Sequence, residues 1–224
     1  MMNQQTLKKM ATKLGANVCG IASVADFKKA PKGFHPTDVF SKAKSVVVVG
    51  KPFSRTVFIG NTNIPYTMVR NKLAEAVDYI SFELCYLIEE MGFSALPIPS
   101  AEPYEHWETN RKHGKGILSL KHAAELAGMG RIGKNTLLIN SDYGNRLWLG
   151  ALITDIETED TKPAQDRCIT GCKKCLDACP VSALDGITID QKKCREVSIL
   201  GSEGGGYYYA CNKCRAVCPF CLQS

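Results

Sequence analysis

No stretch of these 224 residues stays apolar for the roughly 18 to 20 positions that a membrane-spanning helix requires, although 45% of the chain is apolar. A soluble globular protein with no membrane partner is therefore expected, neither disordered nor transmembrane. The opening ten residues carry two lysines with no apolar run behind them. That pattern lacks a secretory signal, so a cytoplasmic, reduced protein is expected. Histidine is scarce, with four in all, and the EHWE stretch at 105–108 lacks the spacing of a metal-binding helical His pair. No internal repeat is visible apart from two cysteine-rich half-motifs.

Cysteine is what the chain has in abundance. Eight of its eleven cysteines fall between Cys168 and Cys218. CITGCKKCLDACP places Cys168, Cys172, Cys175 and Cys179 at gaps of three, two and three residues, with Pro180 following. The second run, C-x16-CNKCRAVCP, supplies Cys194, Cys211, Cys214 and Cys218 before Pro219. Two-cluster ferredoxins use C-x2-C-x2-C-x3-C-P, in which three close thiolates hold one cubane and the fourth reaches to the other. On that logic Cys168, Cys172, Cys175 and Cys218 bind one 4Fe-4S cluster, and Cys194, Cys211, Cys214 and Cys179 bind a second. Structural zinc prefers paired C-x2-C knuckles without C-x3-C-P closures and remains the weaker alternative. Cys221 stands two residues beyond Cys218 and competes as a ligand. Cys19 and Cys85 stand alone and read as small buried residues.

The formal charge of +6 counts every cysteine as neutral. Eight ligand thiolates and two cluster cores in the 2+ state bring it to about +2. Nucleic acid is thus not favoured as a partner on charge alone. Arg111, Lys112, Lys115, Lys121, Arg131 and Lys134 form a basic group that binds phosphate or merely stands in solvent.

Along the chain, helices are expected over residues 3–14, 64–91 and 120–127, and strands at 16–24, 45–50, 93–99, 136–140 and 147–154. The continuous SVVVVG run suits a strand covered on both faces and argues for an α/β layer architecture. Residues 30–41 read as loop with a structural or solvated His35. The polar stretch 100–116 reads as a flexible loop or site rim. GMGRIGKN formally matches G-x-G-x-x-G, but it follows a helix where a dinucleotide site needs a strand. It is instead a turn able to bring backbone amides to an anionic or amide-rich ligand. Residues 156–167 read as a linker, dividing a domain at 1–160 from a cluster domain at 161–224. GSEGGGYYY, at 201–209, reads as a mobile or ligand-facing loop.

The combination resembles the epoxyqueuosine reductase family, related to reductive dehalogenases. The resemblance rests on AKSVVVVG, PYTMVRNKL, HAAELAGMGRIGKNTLLINSDYGN and both cysteine runs with the long second gap. It implies an α/β (α+β) reductive-dehalogenase/nitroreductase-like core with a C-terminal ferredoxin-like double-cluster module. It also implies a cobalamin with its lower ligand detached, in a cavity walled by Gly130, Gly133, Lys134, Asn135 and Asn145. Electrons would come from a low-potential ferredoxin- or flavodoxin-type donor and pass through the clusters to the corrinoid or a small-molecule substrate. The position of the family's catalytic aspartate is occupied by Gly114, with Lys115 beside it. His106, His113, Lys115 and Tyr143 are left as candidate proton donors. The helical repeats that follow the clusters in many members are absent from this sequence. Three functions remain: an electron-relaying iron-sulfur redox protein, an epoxyqueuosine reductase acting on tRNA, or a non-catalytic electron carrier or corrinoid-handling protein.

Overall fold

A computed structural model of the chain describes residues 3–159, 161–201 and 204–222. Helix α1 (Gln4–Lys13) leads into β1 (Val18–Ser23), the short α2 (Pro36–Val39) and β2 (Ser45–Pro52). The long α3 (Ile64–Glu90) then turns into β3 (Ala95–Ile98). A small hairpin, β4 (His106–Glu108) and β5 (His113–Lys115), precedes α4 (Leu120–Leu126). Two short strands, β6 (Arg131–Ile132) and β7 (Leu138–Ile139), lead to β8 (Leu147–Thr154). The cysteine-rich part holds α5 (Lys174–Asp177), α6 (Gln191–Ser198), the hairpin β9 (Ile199–Gly201) and β10 (Tyr207–Tyr209), and α7 (Lys213–Ala216).

Four strands form one sheet in the order β1-β2-β8-β3, with every neighbouring pair antiparallel. The valine run of β2 lies at its centre because helices cover both faces. Val47 and Val49 pack with Leu7 and Ala11 of α1 and Val77, Ile80 and Leu84 of α3. Val46 and Val48 point the other way, into Ala123 and Ala124 of α4 and its C-cap Ala127. Close approach explains two glycines in this sandwich. A Cβ on Gly20 would stand 2.6 Å from the Ala127 carbonyl, and one on Gly150 would stand 2.8 Å from that of Val77.

Four loop and strand readings change, with α2 inside the 30–41 loop, while the structural reading of His35 holds. His35 caps α2, its ring accepting from the Thr37 amide while Asp38 closes the capping box. The stretch expected to be a flexible loop contains the β4-β5 hairpin. The 136–140 strand shortens to Leu138–Ile139. Residues 156–167 have no regular structure among those described, Asp160 lying outside them. They are nevertheless pinned to the core, where Thr161 donates to the Ile21 carbonyl at 2.6 Å and Gln4 to Thr158 at 2.6 Å. The GSEGGGYYY loop is a hairpin whose Ser202 and Glu203 lie outside the described residues. Among the described residues, no helix is long and apolar enough to cross a membrane.

Candidate iron-sulfur and reductase site

The cysteines separate in space into two groups. Cys168, Cys172, Cys175 and Cys218 line one open hollow of about 350 Å³, together with Lys134, Asn135 and Phe220. Cys218 has Cys175, Cys168 and Cys172 as its thiol neighbours, whereas Cys214 has Cys194, Cys211 and Cys179. Each group thus draws three cysteines from one run and one from the other. Short helices present them: α5 carries Cys175, α7 carries Cys214 and α6 carries Cys194. The extra residue in the first gap is absorbed by a turn in which the Cys172 amide donates to the Ile169 carbonyl and Gly171 sits at φ +77° with open space beside it.

Burial dominates the acidity of four of these thiols. It pushes Cys214 up to about 11 against the opposing pull of Arg215, and its three thiol neighbours push it further. Cys175, Cys194 and Cys218 are raised for the same first reason. Neutral thiols at pH 7 must therefore shed protons when they bind iron. Backbone amides already face the sulfurs, as in the 3.2 Å bond from Ala183 to Cys179 Sγ. No three His, Cys, Asp or Glu side chains among the described residues are arranged to hold a single metal ion. A cubane spreads its thiolates around four irons, and two groups of four cysteines suit that donor set. Cys221 is fully buried with Cys218, Arg146 and Arg215 near it, and burial pushes its thiol up to about 11.

The GMGRIGKN turn fastens this region to the core. Lys134 Nζ donates to the Cys172 carbonyl at 2.9 Å, Asn135 Nδ2 to that of Cys214 at 3.2 Å, and Asn145 Nδ2 to that of Arg215 at 3.0 Å. Gly130 and Gly133 are closed off by Ile139, whose atoms would stand 2.4 and 2.6 Å from an added Cβ. Lys134, Asn135 and Asn145 thus hold the core against the cysteine loops, while Gly130 and Gly133 pack against Ile139. Next to them the chain is interlocked, since a Cβ on Gly144 would fall 1.6 Å from the Phe220 carbonyl oxygen.

On the other side, α6 docks on the β4-β5 hairpin. Gln191 brackets Gly114, accepting from its amide and donating to its carbonyl at 3.2 Å each. Arg195 lies over the rings of Trp107 and Tyr104, 5.0 and 5.8 Å from their centroids. His106, His113 and Lys115 share this hairpin, whereas Tyr143 sits in the turn before β8. Lys115 is engaged by Glu108 at 2.9 Å, which with Arg111 holds that carboxyl below the usual range. Desolvation lowers His113, partly offset by Glu108, so it is neutral at pH 7. It borders a second open hollow, of about 780 Å³, with Arg111, Asp190 and Lys192.

Five of the six cations in the basic group read from the sequence have partners. Arg131 pairs with Glu125, Arg111 and Lys115 with Glu108, and Lys121 and Lys134 donate to backbone carbonyls. Sequence reasoning missed Arg146 and Arg215. Both are buried, and nothing in their spacing distinguishes them from surface cations.

The mixed α/β fold is shared with reductases of two kinds, epoxyqueuosine reductases and reductive dehalogenases. An epoxyqueuosine reductase from Streptococcus thermophilus superposes with a TM-score of 0.66 at 21% identity, over 100% of this chain and 67% of that one. A reductive dehalogenase whose structure is described as suggesting a mechanism for B12-dependent dehalogenation gives 0.67 at 21% identity, over 96% and 31%. At these identities the likeness shows the fold.

Sequence comparison finds similarity over about half of the chain. The chain is similar to curated proteins named epoxyqueuosine reductase: 38% identical over 114 residues to that of Bacillus cereus, and 33% over 121 residues to that of Gloeobacter violaceus. The matches cover 46% and 49% of this chain but only 30% and 38% of the relatives' lengths. No protein-family model matches the chain.

Proposed function

We propose that this chain is a cytoplasmic reductase of the epoxyqueuosine reductase type, with a core at 1–160 and a ferredoxin-like double-cluster domain at 161–224. One observation carries the reading: eight cysteines gather into two groups of four, each completed by a cysteine from the other run. When bound, 4Fe-4S clusters supply one-electron transfer, fed by a low-potential ferredoxin- or flavodoxin-type donor. The chain's own residues orient that module: Lys134, Asn135 and Asn145 fix its loops, and Gln191 and Arg195 fix the hairpin.

The charge-based reading that sets nucleic acid aside is reversed by the relatives. A solved epoxyqueuosine reductase, 22% identical with a TM-score of 0.63, is bound to an epoxyqueuosine-modified tRNA stem loop. A modified tRNA is accordingly the proposed substrate. Cobalamin is proposed on the relatives alone. Of the residues expected to wall it, Lys134, Asn135 and Asn145 bond to the cysteine loops.

A second reading rests on Gly114. A Cβ there would stand 3.1 Å from the Tyr104 ring, so this position holds no acid. An electron carrier or corrinoid-handling protein without substrate turnover fits that. The test is anaerobic reconstitution followed by single-turnover reduction of an epoxyqueuosine-containing anticodon stem loop, read by mass spectrometry. Conversion to queuosine with about eight irons per chain supports the reductase. Full iron loading without conversion leaves the second reading standing.

A further inference from the structure

Two guanidiniums are buried where α7 meets the core, and neither has a carboxylate. Arg146 is 5% exposed and Arg215 7%. The ion pairs found among the described residues involve neither. Arg146 donates from Nη1 to the Phe53 carbonyl at 2.7 Å, and its Nε has no hydrogen-bond partner. Arg215 donates to the Asn145 carbonyl and lies 4.8 Å over the Phe53 ring. Lys121 adds a third, partly buried cation nearby, held only by the Thr136 carbonyl at 2.7 Å. Carbonyls and a ring face do not neutralise full charges, and buried cations without an anion are strongly disfavoured.

The groups near them that can carry negative charge are thiols and the phenols of Tyr66 and Tyr143. Cys221 is buried near both arginines, a single thiol for two guanidiniums. Cys214 precedes Arg215 in sequence and feels its charge. A 2+ core with four thiolates carries about −2, and about −3 after taking up one electron.

Building on the two-cluster reading, we infer that Arg146 and Arg215 are the counter-charge of the iron-sulfur module. Arg215 in particular favours the reduced form of the cluster held by Cys179, Cys194, Cys211 and Cys214. The step is a one-electron reduction by an external low-potential donor, dithionite in the test. The core goes from 2+ to 1+ with no bond broken and no proton transferred.

The experiment is an EPR-monitored redox titration of the reconstituted full chain as wild type, R215M and R215K. In R215M the reduction equilibrium of the Cys214 cluster is expected to shift about tenfold toward the oxidised form, a midpoint about 59 mV lower for one electron. R215K should stay within about twofold of wild type. The cluster on Cys168, Cys172, Cys175 and Cys218 should move less. An unchanged midpoint in iron-loaded R215M overturns the inference, as does a wild type in which Cys214 ligates no cluster. If R215M does not load, R146M carries the test, with a smaller downshift expected and an unchanged midpoint overturning the idea. Iron and sulfide analysis of the wild type judges the two-cluster reading separately, at about eight against about four irons per chain.

Discussion

Gly114 is a residue whose neighbours define what it can become. Its amide and carbonyl are both taken by Gln191, and the Tyr104 ring closes the space where a side chain would go. Gly114→Asp should lower the unfolding free energy by about 1–3 kcal/mol through overpacking. Tyr104→Ala in the same chain should recover part of that loss, as read from urea midpoints. Cys85 makes a different residue-scale prediction. Buried at 5% exposure, its thiol is pushed from 9.0 to about 12, chiefly by desolvation and then by Glu89. The unfolded chain ionises first as pH rises, so this stability is complete below about pH 9 and is lost between 9 and 12. The slope is about 1.4 kcal/mol per pH unit. Urea midpoints at pH 8 and 10.5 should diverge, and less so in Cys85→Ala.

Elements show where sequence periodicity was sufficient. The α3 stripe and the valine run of β2 were legible because burial alone sets each pattern, on one face of the helix and on both faces of the strand. The run could not reveal that every pairing is antiparallel, since two-sided burial erases the alternation that separates sheet types. The β4-β5 hairpin was illegible for another reason. Its strands are three residues each and polar, and their support comes from α6, far along the chain. Arg195→Ala removes the cation over Trp107 and Tyr104 and should cost about 0.5–2 kcal/mol. Proteolysis should then cut the 104–115 segment first, a result that intact resistance would contradict. The cysteine groups were readable because ligand spacing is local. The buried arginines were not, because an arginine in CRAVCP looks like any solvated one until tertiary contacts enclose it.

For the molecule as a whole, the core and the cysteine region behave as one interlocked body at two seams. One seam is the Gly144–Phe220 contact, where Gly144→Ala meets a carbonyl at 1.6 Å from a backbone at φ +56°. That variant should cost more than about 3 kcal/mol and fail to load iron, as measured by iron content after reconstitution. The other is the set of amide and ammonium bonds from Lys134, Asn135 and Asn145. The proposed crossed ligation predicts a mismatch between position and effect. Cys179→Ser, in the first run, should abolish the EPR signal of the cluster centred on the second, and Cys218→Ser should do the converse.

That crossing also sets a schedule for biogenesis. A nascent chain that has emerged through Cys179 presents three sulfurs of one group and a single sulfur of the other, so neither site is complete on the ribosome. Under the proposed two-cluster ligation, iron delivery is a late, nearly simultaneous event, and chains truncated before Cys211 should emerge colourless however much iron the cell supplies.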